Sequence, residues 1–445
     1  PFIKTPDGKF ERILVRGSNA KRAIRAVKFK GPSLMEVVRR QNRRSKVKMV
    51  DRVMVTDLIV DDGRAVGALG FDMKGENLYV FRARSVVMAC GGTYGKASYF
   101  GHRGQAGEAY AMMARAGVEM MSFDIISRNQ AAIDFDLPGM GTFQGLGARF
   151  INRLDEEFMH HYDPELGNRA LKKTQALAMA MEVMEGRGPI YLDMTHFTED
   201  QIESMRENLP LAMLVLERAG VLVDSKIIRK MEWGPGGPGT IAQGGGAPVS
   251  LKGETSLPGL FAAGDSAAKM AGGTGETGGG ALIWASISGA RAGRHAALAC
   301  TNAERVEPRR QIVVAALERC LKPWTRSSGI DSQRVLTNTQ EVICPWNMLI
   351  VKHADRLEKG IEALELIRTH EVPYMWARDP HELRMVHEAE SLLLTSILML
   401  RSSLVREESR SELREDFPEQ DNLNWLKWIR VKPQEDEFVF DTLDI

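Results

Sequence analysis

The sequence predicts an α/β fold joined to a helical C-terminal domain. Three observations carry this reading. Short apolar runs end in glycine, a small-residue helix follows directly on a glycine-rich loop, and the last third of the chain is poor in Gly and dominated by Leu, Glu and Arg. At roughly 150 residues per domain, 445 residues allow about three domains.

Ser33 reads as the N-cap of a helix over 33–43, with Leu34, Met35, Val37 and Val38 as its apolar stripe. Val53–Val60 and Ala65–Phe71 are rich in β-branched residues, and Asp62-Gly63 between them marks a hairpin. Leu78–Phe81 follows a second turn over Lys74–Asn77. Ser85–Cys90 is a short continuous apolar run ending in Gly91-Gly92, the pattern of a parallel strand buried on both faces. Gly107–Gly117 predicts a buried Ala/Met helix, and Asn168–Glu185 a long helix broken at Gly186. Residues 257–263 read as a turn and a buried strand, and 281–300 as a helix. Several amphipathic helices follow over 306–406, then a tail with Trp425, Trp428 and alternating charge, which covers the core or docks a partner.

Composition narrows the function. With 44% hydrophobic and 26% charged residues the chain is globular, not disordered. Lys+Arg 59 against Asp+Glu 58 leaves a net charge of +1, so bulk charge does not recruit nucleic acid or a membrane surface. The longest mainly apolar run, Leu392–Leu400, falls far short of the ~20 residues of a membrane span. Cys90, Cys300, Cys320 and Cys344 form no C-x-x-C pair, so no zinc ribbon or iron–sulfur cluster is expected, and a reducing compartment fits. His160-His161, His353, His370, His381 and His387 have no ligand spacing, and no metal site is expected. The chain opens at Pro1 without a secretory pattern, so a cytoplasmic location, at most peripheral to a membrane complex, is expected.

Leu257–Cys300 carries the most chemistry. A buried strand ends in Gly264-Asp265, a glycine-rich loop follows, and a helix starts near Ala281. An Asp at a strand end accepts hydrogen bonds from the hydroxyls of a dinucleotide, and a helix N-terminus offers free N–H groups to an electron-rich ring edge. On local features alone a plain strand–loop–helix crossover fits equally well. A P-loop does not, because no Gly-Lys-Ser/Thr follows the glycines.

"PGLFAAGD" with "GGGALIWASISGARAG" resembles the second FAD-binding element of the fumarate reductase/succinate dehydrogenase flavoprotein family. "YVFRARSVVMACGG" resembles its central strand, "GARFINRLDEEFMHHYDPELGN" with "EGRGPIYLDM" its capping domain, and "EESRSELREDFPEQDNLNWL" the tail of its helical domain. "KTPDGK" and "PIYLDM" are similar to the adenylylsulfate reductase branch. The resemblance implies a Rossmann-like FAD-binding domain over 1–125 and 236–305, an α+β capping domain over 126–235 and a helical domain with tail over 306–445. It also implies a first βαβ unit with G-x-G-x-x-G, which these residues do not contain; the chain is expected to be a fragment lacking that unit. Residue by residue, it assigns FAD contacts to Ala89, Cys90 and Gly91, Glu108, Gly264, Asp265, Ala281 and Leu282.

The substrate positions depart from the family. Asn129 and Ile241 stand for its two His, Met140 and Gly141 for Thr-Glu, and Glu276 for the carboxylate-binding Arg. A gap-free match puts Lys172 at the proton-delivering Arg, with Arg169 nearby as the substitute. Lys172 is thus either a catalyst or a solvated charge beside Lys173. Asn129 and Glu276 either bind substrate or pair internally. A charged hydrogen bond is worth roughly 1.5–3 kcal/mol, so losing several leaves a dicarboxylate poorly held. The resemblance implies an FAD-dependent oxidoreductase that exchanges a hydride with a polar small molecule other than succinate or fumarate, partnered by an iron–sulfur electron-transfer protein. An adenylylsulfate-reductase-like catalyst and a non-catalytic flavin electron carrier are the alternatives.

Overall fold

The computed structural model describes residues 2–14, 23–24, 31–75, 77–96, 104–128, 130–137, 140–234, 241–268, 280–410, 412–434 and 437–445. Helix α1 (Gly31–Arg44) begins ahead of Ser33, because Pro32 has the fixed φ that suits a first helical turn. It buries no residue, and Met35, Val37 and Val38 of its expected stripe are exposed.

Strands β1 (Val53–Asp61), β2 (Arg64–Asp72) and β3 (Leu78–Arg82) form an antiparallel sheet in that order. Asp62 and Gly63 both take positive φ, 45° and 68°, which is the twist that a two-residue hairpin requires. Strand β4 (Val86–Met88) follows, then the buried helix α2 (Glu108–Arg115) and the short strand β5 (Met120–Met121).

The middle of the chain builds its own core. It comprises β6 (Ile126–Arg128), β7 (Ala131–Ala132), α3 (Met140–Gly145), β8 (Arg149–Ile151), α4 (Lys172–Met184), β9 (Ile190–Asp193), α5 (Glu199–Asn208), α6 (Pro210–Arg218) and β10 (Met231–Gly234). Four of its strands form an antiparallel sheet in the order β8-β9-β10-β7. Phe143, Phe150, Phe158 and Trp233 are buried against that sheet. A reciprocal capping box between Thr198 and Gln201 starts α5. The single helix predicted over Asn168–Glu185 is in fact broken. Gly167–Arg169 makes one 3-10 turn, Ala170 and Leu171 are extended, and α4 begins at Lys172. The Gln175 side chain donates to the Asn168 carbonyl at 3.0 Å, so that carbonyl is paired without a continuous helix.

Strand β11 (Ile241–Gln243) pairs with β6, and β12 (Leu260–Ala262) lies parallel to β4 in the register Leu260↔Val86 and Ala262↔Met88. Strand β4 is not buried on both faces as its sequence suggested: Val87 is 37% exposed, and beside it α7 (Gly280–Asn302) exposes Leu282, Ile283 and Ile287. Helices α8 (Arg310–Leu321), α9 (Ser332–Ile343), α10 (Ala354–His370) and α11 (Pro380–Val405) bear out the helical C-terminal domain. The tail forms two strands that the sequence reading missed, β13 (Lys427–Gln434) and β14 (Glu437–Asp444). They pair with each other and, through β13, with β5. Ile429 and Val431 are fully buried there, so part of the tail covers the core.

Buried and half-buried ion pairs fasten the helical domain to the rest. Arg319 of α8 reaches Asp57 of β1 at 2.7 Å and Glu390 of α11 at 3.3 Å. Arg406, just past α11, holds Asp124 at 2.6 Å and Glu408 at 2.8 Å. Removing one partner of such a pair strands the other charge. Arg406→Met is therefore expected to lower stability by about 3–5 kcal/mol, measured by urea unfolding. Burial by itself would raise the Glu390 carboxyl, but the His387 hydrogen bond and the Arg115 and Arg319 charges hold it at about 2. A depressed carboxyl stabilises the fold above its ordinary 4.5 and loses that contribution as pH falls toward 2. Glu390→Gln should flatten the acid limb of the stability profile across that window.

Candidate functional site

The parallel pairing of β4 and β12 sets two glycine turns side by side. The Ala263 amide donates to the Met88 carbonyl at 2.9 Å, and the Ser266 hydroxyl donates to the Gly91 carbonyl at 2.9 Å. Gly91 and Gly264 both adopt left-handed φ, 84° and 61°, which a side chain would disfavour. Helix α7 locks the second turn: Trp284 Nε1 donates to the Gly264 carbonyl at 2.9 Å, and the Gly264 amide donates to Ser288 Oγ at 2.9 Å. Ala89, Cys90, Gly91, Gly264, Asp265, Ala281 and Leu282 are thereby gathered around two strand ends and the first turn of α7.

Asp265 is oriented by two tyrosines that the sequence reading passed over. The Tyr94 hydroxyl donates to Asp265 Oδ2 at 2.9 Å, and the Tyr110 hydroxyl donates to the Asp265 carbonyl at 2.7 Å. Burial, and then the Asp265 charge, raise both phenols, so both stay protonated donors. Tyr94 follows Gly91-Gly92 by two residues, a proximity that could have marked it. Glu108 opens α2 and accepts from the Ala106 amide at 3.1 Å, and burial followed by the Glu388 charge raises its carboxyl. Cys90 is exposed, with Sγ 3.9 Å from Met88 Sδ.

Residues 244–247 connect these turns to the middle core. The Ala247 amide donates to the Ser266 carbonyl at 3.1 Å and the Gly244 amide to the Ile125 carbonyl at 2.8 Å. A Cβ on Gly245 would lie 2.9 Å from the Phe123 ring, and Phe123 packs edge-on against Tyr110 with centroids 5.2 Å apart. Beyond β6, Gln130 Nε2 donates to the Lys172 carbonyl at 2.9 Å. Lys172 and Arg169 are both half-buried, Lys172 in the first turn of α4 and Arg169 in the turn before it, whereas Lys173 is exposed. Asn129 and Glu276 lie outside the described residues. Among the described residues no group of three or more His, Cys, Asp or Glu could hold a metal, and no helix is long and apolar enough to cross a membrane.

The two strand ends fit a flat dinucleotide cofactor. Left-handed glycines leave the turns without Cβ atoms, exposed Cys90, Leu282 and Ile283 offer apolar surface beside them, and buried Gln105 Oε1, next to Gly91, has no partner. That geometry defines a flavin- or nicotinamide-dependent class, and the comparisons with known proteins decide between them. A model of an FAD binding domain matches residues 1–282, and one of the fumarate reductase flavoprotein C-terminal domain matches 342–443. The chain belongs to the fumarate reductase/succinate dehydrogenase flavoprotein family and is an FAD-dependent oxidoreductase.

One component of the fumarate reductase (CoM/CoB) of Methanothermobacter marburgensis is 29% identical over 407 residues, 87% of this chain and 71% of that protein. The mitochondrial succinate dehydrogenase (ubiquinone) flavoprotein of Oryza sativa subsp. japonica is 25% identical, over 96% of this chain and 72% of its own length. Among solved structures, E. coli quinol fumarate reductase superposes with a TM-score of 0.85 at 20% identity, covering 100% of this chain and 80% of the other. Adenylylsulfate reductase of Archaeoglobus fulgidus shares the fold, with a TM-score of 0.76 at 18% identity and coverage of 100% and 79%.

A Cβ on Gly92 would lie 2.5 Å from the Tyr110 hydroxyl oxygen. Gly92→Ala should therefore break the Tyr110–Asp265 bond and cost about 1–3 kcal/mol in denaturant unfolding. Adding Tyr110→Phe removes the clashing oxygen and is expected to recover part of that loss, which a double-mutant cycle measures.

Proposed function

We propose that this chain exchanges a hydride between FAD and a polar small molecule other than succinate or fumarate. Lys172 and Arg169 would handle the substrate proton. The observation that carries this reading is the pairing of an intact pair of cofactor turns with altered substrate positions. Asn129, Met140, Gly141, Ile241 and Glu276 replace the residues that a dicarboxylate would need. Met140 opens α3 and Ile241 opens β11.

FAD, when bound, supplies the two-electron hydride chemistry. Asp265, oriented by Tyr94 and Tyr110, would accept from a cofactor hydroxyl, while Ala281 and Leu282 in the first turn of α7 would present backbone N–H groups to the ring. Ala89, Cys90, Gly91, Gly264 and Glu108 would complete the cofactor wall. Lys172 Nζ would hold the proton that leaves or joins the substrate carbon. Arg169, always charged, would bind a polar or anionic end of the substrate. Residues 126–235 would act as the cap over this site. An iron–sulfur electron-transfer protein is the partner that the family resemblance implies for this reading.

The test is a visible spectrum of the purified chain after FAD addition and desalting. A retained flavin band supports the reading, and a colourless protein defeats it for this chain. With a substrate found by anaerobic screening, Lys172→Ala is expected to lower kcat by about 10²–10⁴ with little change in flavin content. An unchanged kcat alongside its loss in Arg169→Ala would move the proton role to Arg169.

A further inference from the structure

Three glutamines meet at the start of α4. Gln130 and Gln175 are fully buried, and Gln144 is 2% exposed. Gln175 Nε2 donates to the Asn168 carbonyl at 3.0 Å, which turns its Oε1 toward Gln144, whose Nε2 donates to it at 3.4 Å. Gln130 Nε2 donates to the Lys172 carbonyl at 2.9 Å. A backbone carbonyl only accepts, so flipping any of these amides would set oxygen against oxygen or leave nitrogen facing nitrogen. The two carbonyls at Asn168 and Lys172 thus fix all three orientations. Gln130 Oε1 and Gln144 Oε1 are left buried with no partner. A buried acceptor without a donor is costly, and two of them against one helix start call for donors from elsewhere.

We propose that Gln130 and Gln144 are specificity-determining residues of the substrate site, and that the substrate presents N–H or O–H donors to them. This rests on the cap-site reading above and names its substrate class. Both oxygens are acceptors, and an ionised carboxylate offers only acceptors, so that end of a dicarboxylate meets repulsion at both amides. An amide, amine or alcohol satisfies them. The half-buried Lys172 and Arg169 stand at the same helix start.

Succinate and succinamide test this directly, because they share a four-carbon skeleton and differ in offering carboxylates or N–H donors. Each is added at millimolar concentration to the purified chain, and binding is read as a shift in Tm and by titration calorimetry. Succinamide is expected to bind at least tenfold more tightly than succinate. Gln130→Met with Gln144→Met should erase that preference, with circular dichroism showing that the variant is folded. Gln144→Asn, which withdraws the acceptor by one methylene, gives the same readout if the double variant does not fold. Equal or tighter binding of succinate overturns the proposal, as does no binding of either probe or an undiminished preference in the folded variants. Failure of the proposed function itself is read separately, as loss of the flavin band from the unaltered chain.

Discussion

The parallel pairing of Val86–Met88 with Leu260–Ala262 is the constraint on which the remainder of this structure depends. Parallel strands cannot be joined by a tight turn, so the chain has to travel before it returns. Here the excursion is long enough to hold a second core, with its own antiparallel sheet and its own buried aromatic residues. The pairing also delivers two left-handed glycines to one place from positions far apart in sequence. Once they are adjacent, Ser266 can bond to Gly91, and α7 can close on Gly264 through Trp284 and Ser288.

Charge does a different task from apolar packing in this molecule. The helical domain packs through aliphatic side chains, but its attachment to the rest of the chain runs through buried and half-buried guanidinium–carboxylate pairs. Such pairs add little net stability compared with an apolar isostere, yet they tolerate no missing partner, and this fixes the register in which two surfaces meet. Lys96, paired with Glu388 of α11, extends the same linkage to the loop beyond Gly91-Gly92. The two glycine turns are therefore braced from the C-terminal side as well as by their own strands.

The middle core reverses that pattern. Neutral amides are buried at the base of α4, with the half-buried Lys172 and Arg169 at its edge. A shared scaffold with a changed wall is how one fold comes to serve several chemistries. The likeness to fumarate reductase and adenylylsulfate reductase structures at 20% and 18% identity is a likeness of scaffold.

Local patterns were legible wherever a short stretch of chain decides its own conformation. The Asp62-Gly63 hairpin, the buried Ala/Met helix, the strand before Gly264-Asp265 and the helix after the second glycine cluster all stand where the sequence put them. The order of four family motifs was enough to identify the flavoprotein family and FAD. Reading failed where a distant partner decides the outcome. The tail strands exist because Arg430 and Val431 pair with Met120 and Met121, some 300 residues earlier in the sequence, and the break before Lys172 is bridged by a side chain from the next turn. Isolated residues such as Tyr94, Tyr110, Gln130 and Gln144 carry no periodic or motif signal. By itself the sequence determined the fold class, the family and the cofactor, because backbone propensity, glycine conformation and motif order are properties of contiguous residues. Only the tertiary structure decided which tyrosines aim Asp265 and which amides are left with unpaired oxygens, because hydrogen-bond partnership depends on where remote segments come to rest.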